Sequence, residues 1–153
     1  MGPFESISHT LRKYAVFSGR ASRSEFWIFF FFVIAAPFVA RLVDAMVFRS
    51  FYLGGPISGL TSLALFVPQI AVAVRRLHDV GRSGRELLAP CVMLFLLPFV
   101  MVFGAGLLPR IVALGFAGVT LLMFANLLLN LTKKGGAVPN RYGASPTAFS
   151  FGN

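Results

Sequence analysis

Most apolar positions in this chain neither alternate nor recur as stripes. They fill four long blocks, at residues 26–48, 57–74, 87–109 and 111–131, with short polar segments between them. The blocks are 18 to 23 residues long, which at 1.5 Å per residue makes about 27–35 Å of helix, the thickness of a bilayer's hydrocarbon core. A helix that is apolar all round needs apolar surroundings on every side. A water-soluble fold of 153 residues has too much surface for its volume to hide four of them. The pattern therefore predicts an all-α membrane protein, a four-transmembrane-helix bundle.

The first block supports this by arithmetic. Its fourteen Phe, Ile, Val and Leu residues contribute roughly −4 to −8 kcal/mol to insertion, against up to ~3 kcal/mol each for Arg41 and Asp44 at a helix centre and less near an end. Arg41 and Asp44, three apart on one face, are expected to pair with each other. Pro37, Pro68, Pro90 and Pro98 mark kinks or helix starts, tolerated where neighbours satisfy the freed carbonyls. Ahead of the first block, Phe4, Ile7, Leu11, Tyr14 and Ala15 recur at three- and four-residue steps. They predict an N-terminal amphipathic interfacial helix over residues 4–17. Ser22 and Glu25 read as a capping box opening the first span. The 25 fairly polar residues before that span do not read as a cleavable signal peptide.

Composition agrees, since 57% hydrophobic and 12% charged residues depart from soluble domains, at about 45–50% and about 25%. The placement of Lys and Arg then sets orientation. Arg12, Lys13, Arg20, Arg23, Arg75, Arg76, Arg82, Arg85, Lys133, Lys134 and Arg141 lie on one side, and only Arg41, Arg49 and Arg110 toward the other. That asymmetry places the segment 1–25, the loop 75–86 and the tail 132–153 in the cytoplasm. The net charge of +9 follows from this topology and from attraction to anionic headgroups, at about 1 kcal/mol per basic residue near the surface. It is not read as nucleic-acid binding. A lone Cys91 and two histidines away from ligand spacing give no metal site, and no cofactor is expected.

Three polar strings remain to carry chemistry: residues 17–27, residues 75–84, and residues 140–143 with Pro146. The first two share a Gly-Arg turn, then Ser with Glu three residues on, then an apolar block. They suggest two helical hairpins, unless both are ordinary helix starts. On the predicted topology all three strings meet at the cytoplasmic end. Arg20, Arg23, Arg75, Arg76, Arg82 and Arg141 are candidates for binding an anion or lipid phosphate, because guanidinium groups pair bidentately with such oxygens. Glu25, His78 and Asp79 are candidates for structural ion pairs. Gln69, Asn126 and Asn130 are candidates for a polar vestibule, or for plain interhelical hydrogen bonds.

At these strings the chain resembles a bacterial family catalogued as domain of unknown function 805, whose hallmarks look like GRxSRxEFW, RRLHDxGxSG and NRYGxxP. All three occur here in order. The resemblance implies a bacterial inner (cytoplasmic) membrane protein and marks the strings as its functional surface, without implying an activity.

Three functions compete. The first is a non-enzymatic module whose Arg-rich cytoplasmic face engages anionic phospholipid, a small anion, a protein partner or a second copy of itself. A small transporter or channel component is the alternative, weakened by the absence of midspan ionisable residues. A lipid-head-group enzyme rests on His78 and Asp79 as base and orienting acid, without a metal motif, nucleophile elbow or phosphate loop beside them.

Overall fold

The computed structural model describes residues 2–49, 54–107 and 110–146, and of residues 103–107 and 110 the backbone alone. Its helices are α1 (Pro3–Arg12), α2 (Arg23–Phe48), α3 (Pro56–Asp79), α4 (Leu88–Leu107) and α5 (Arg110–Thr132), with one 3-10 turn, Gly84–Leu87, leading into α4. Four of these segments are long and apolar enough to cross a membrane. The expected end of the third span at 108–109 and the tail beyond 146 lie outside the described residues.

The helices pair as two hairpins, α2 with α3 and α4 with α5, joined more sparsely through α3 and α5. Ala40 on α2 and Ala71 and Ala73 on α3 are buried small residues. Phe26, Phe29, Leu65, Val72 and Leu77 fill the spaces between, joined by Leu87, Leu127 and Leu131 from the second hairpin. The core is thus concentrated where the two hairpins meet the polar strings.

Several elements differ from the sequence pattern for identifiable reasons. Helix α2 begins at Arg23 rather than residue 26, because the Ser22 hydroxyl accepts the Glu25 N–H at 3.1 Å. The reciprocal half of the expected capping box does not form, since the Glu25 carboxylate turns to Arg75 instead. Helix α3 continues through Arg75, Arg76, His78 and Asp79, all expected in a loop, because each buried charge finds a partner. It stops in a Schellman turn. Gly81 N–H bonds to His78 O at 3.0 Å and Arg82 N–H to Leu77 O at 2.9 Å. Gly81 stands there at φ 78°, where a Cβ would be strained. The basic turn then folds back on α3 so closely that a Cβ on Gly84 would come within 2.6 Å of Val74.

Asp44 does not pair with Arg41. Its carboxylate accepts the N–H groups of Ile57 at 3.1 Å and Ser58 at 2.7 Å, capping α3 from across the hairpin, while the Arg41 guanidinium lies beside Gly54. The orphan N–H groups of a helix start offer a carboxylate better bonds than a flexible neighbour does.

Helix α1 ends at Arg12, five residues short of expectation, and presents Ser6 and Thr10 to the bundle while Phe4 and Leu11 are exposed. Just past it, the Tyr14 hydroxyl donates to Ala64 O at 2.6 Å. Pro68 lies inside α3 and has no N–H, so Ala64, four residues earlier, loses its helical partner. Tyr14 supplies the missing donor.

Candidate functional site

The polar strings assemble around one carboxylate. Ala21 N–H bonds to Arg75 O at 3.1 Å, which sets the first string against the end of α3. Arg20 then reaches Asp79, with Nε and Nη2 each 2.8 Å from Oδ1. Arg76 takes the other oxygen, Oδ2, through Nη1. The remaining donors of both guanidinium groups go to carbonyl oxygens. Arg20 bonds to Val138 O at 3.0 Å, to Gly143 O at 3.4 Å and to Gly136 O. Arg76 bonds to Leu131 O at 3.0 Å and to Lys133 O. Arg20, Arg76 and Asp79 are all buried, so these contacts replace water rather than compete with it. Gly135 fits against Asp79 because it has no Cβ to collide with the carboxylate.

The third string docks on the same spot. Asn140 Nδ2 donates to His78 O at 2.9 Å. The Tyr142 ring stacks on His78, centroids 3.8 Å apart and 3° from parallel, and Arg141 lies 4.7 Å above the far ring. His78 Nδ1 faces Gly19 O at 3.2 Å, so that nitrogen carries the proton and donates. Asp79, taken by two arginines, does not orient the imidazole. The base-and-acid pairing expected of His78 and Asp79 is not assembled.

A second buried pair lies beside the first. Arg75 Nη1 donates to Glu25 Oε1 at 3.1 Å, and the Thr10 hydroxyl reaches the same oxygen at 3.3 Å. His9 Nδ1 lies 3.3 Å away without a hydrogen bond. Arg75 is almost wholly buried, and its Nε and Nη2 have no partner.

The anion candidates thus divide. Arg20, Arg75 and Arg76 are enclosed among protein partners. Arg82 pairs with Glu86, four residues on, at 2.7 Å on the surface, where such pairs contribute little. Arg141 covers Tyr142. Arg23 is exposed and makes no hydrogen bond or ion pair among the described residues. Lys134, which the sequence marked only as topological charge, is its counterpart. Arg23 and Lys134 bound a cleft of about 140 Å³ whose other walls include Ser22, Arg76, Asp79 and Gly136. Arg20, Arg23, Arg76 and Lys134 bring four positive charges to this neighbourhood against the single carboxylate of Asp79.

Two of the three vestibule residues come together and the third does not. Asn130 Nδ2 donates to Asn126 Oδ1 at 3.1 Å and Lys133 Nζ to Asn130 Oδ1 at 2.8 Å, beside a cleft between α4 and α5. Gln69 lines a different cavity, between the two hairpins.

Four apolar helices tied at one end by buried ion pairs from separate segments define a small helical integral membrane protein. Residues 14–144 match the family described as Protein of unknown function (DUF805), and the chain belongs to that family. Inner membrane protein YhaH of Escherichia coli (strain K12) is 38% identical over 91 residues, covering 59% of this chain and 71% of the relative. Inner membrane protein YhaI of the same strain is 37% identical over 91 residues, covering 59% and 70%. No solved structure matches the chain.

Proposed function

We propose that this protein is a non-enzymatic inner-membrane module whose arginine-rich end faces the cytoplasm and holds the phosphate of an anionic phospholipid. The cleft between Arg23 and Lys134 carries this reading. Its surplus of positive charge is held at headgroup level by arginines that cannot leave, and uncompensated cations near a bilayer pair with phosphate oxygens. The Lys and Arg asymmetry supports the orientation. Helix α1, with Phe4 and Leu11 turned outward and Ser6 and Thr10 against the bundle, has the two-sided character of an interfacial helix. The absence of a formed His78–Asp79 pair favours binding over catalysis, and the separation of Gln69 from the Asn126–Asn130 pair favours it over transport.

A ligand that binds only the folded state raises its stability by mass action. Phosphatidylglycerol added to the purified protein in detergent should therefore raise its melting temperature more than phosphatidylcholine does. The difference should vanish in the Arg23→Ala/Lys134→Ala variant. Equal shifts from both lipids in the wild type would refute the reading.

A further inference from the structure

We propose that the cavity between the two hairpins takes one acyl chain of the phospholipid whose phosphate occupies the cleft, so that a single anionic glycerophospholipid is bound with its other chain left in the bilayer. This rests on the phosphate reading above and adds to it a second, apolar half-site.

The cavity measures about 420 Å³ and draws on all four spanning helices, with Phe30, Phe66, Leu94, Phe95, Phe124 and Leu128 among its walls. That volume lies within the usual range for ligand pockets, about 300–1,000 Å³. Phe66 and Phe95 are exposed on its rim, so a chain can enter sideways from the bilayer without passing through the polar end.

Register places the cavity under the cleft. The cleft is lined by Arg23, Arg76 and Lys134, and the cavity by Phe26, Ala73 and Leu131. Each cavity residue is three positions from its cleft counterpart, toward the membrane. On α2 and α3 a three-residue step stays on one face and descends one turn; on the third, Lys134 lies just past the last turn of α5. Phosphate chemistry above and hydrocarbon chemistry below are therefore stacked along one line, as in a phospholipid.

A third observation joins the halves. Gln69 lines the cavity, and its carbonyl oxygen is enclosed with no hydrogen-bond partner. It lies seven residues along α3 from Arg76, about 10 Å toward the bilayer centre at 1.5 Å per residue. A glutamine amide presents an NH2 group as readily as an oxygen. Such a group can donate to the acyl ester carbonyl of a lipid whose chain enters the cavity. A purely hydrocarbon occupant, including the apolar flank of a second copy of the chain, would leave the amide unanswered and the cleft's charge unpaired.

The test is photo-crosslinking of the wild-type protein in nanodiscs. The probes are phosphatidylglycerol and phosphatidylcholine carrying the same mid-chain diazirine, with the labelled residues mapped by peptide mass spectrometry. The phosphatidylglycerol probe should label Leu94, Phe95 and Phe124 several-fold more than the phosphatidylcholine probe. Arg23→Ala/Lys134→Ala should reduce the excess to the phosphatidylcholine level. Preferential labelling confined to outward residues such as Leu114, Leu121 and Leu122, as expected if a second copy fills the groove, overturns the chain site and leaves the phosphate site standing. Absence of any preference between the two probes overturns the phosphate reading itself, and this inference with it.

Discussion

Arg20 and Asp79 stand 59 residues apart in sequence, yet Nε and Nη2 of the one lie 2.8 Å from Oδ1 of the other. Arg76 takes the second oxygen. One carboxylate therefore holds together the segment before α2, the end of α3 and, through carbonyls of residues 131–143, the segment that follows α5.

Removing that carboxylate leaves two buried guanidinium groups without their counter-charge. Asp79→Ala should destabilise the protein by about 3–5 kcal/mol. Its cost should overlap that of Arg20→Ala, giving a coupling of more than about 1 kcal/mol in a double-mutant cycle. Denaturant or thermal unfolding in one detergent measures both. Additive effects would contradict a shared clamp.

Arg75 and Glu25 make a different prediction, because Arg75 Nε and Nη2 are already unsatisfied. Glu25→Gln should be severely destabilising. Arg75→Met combined with Glu25→Leu should recover most of the loss, since replacing a buried ion pair by packed apolar groups is often neutral or better. Melting curves of wild type and the two variants decide it, and a double variant no better than Glu25→Gln would show that the pair is itself required.

Tyr14 and Pro68 should be coupled through a carbonyl that neither of them owns. Tyr14→Phe leaves Ala64 O without its donor, at about 1–3 kcal/mol. In a Pro68→Ala background the helix supplies its own N–H and the same substitution should cost much less. Unfolding free energies around this cycle test it, and an equal cost in both backgrounds would refute the link.

Much of this was legible in the sequence, for physical reasons. Hydrocarbon-length apolar blocks need no tertiary information, so the four spans stand out, and the Ser22 cap and the turn at Gly81 show in local residue choice. Partner choice does not. Asp44 lies three residues from Arg41, but its better partners, Ile57 N and Ser58 N, become neighbours only when the hairpin closes. Glu25 has the spacing of a capping box, yet a buried guanidinium 50 residues away outweighs one backbone N–H. The arginine string showed a surplus of charge without showing its burial. Arg75 and Arg76 are 1% and 0% exposed, which turns two expected ligand contacts into internal ties. Lys134 gave no local signal, because its value lies in facing Arg23 across a cleft built by the tail.

Orientation is a separate expectation. Reporter fusions placed at the Gly81–Gly84 turn and after Pro146 should both be active only with a cytoplasmic reporter. An impermeant thiol reagent added outside intact cells should not label Ser83→Cys. Labelling there would reverse the assignment of the arginine-rich end.

On the proposed reading the arginines divide into buried ties and one open phosphate site. Native mass spectrometry can count the lipid retained by wild type, by Arg23→Ala/Lys134→Ala and by the charge-matched Arg82→Ala/Arg85→Ala. Wild type and the second variant should each keep one phosphatidylglycerol in preference to phosphatidylcholine, and the first variant should keep neither preferentially. Equal loss of phosphatidylglycerol in both variants would mean that diffuse positive charge attracts the lipid, contradicting a defined site between Arg23 and Lys134.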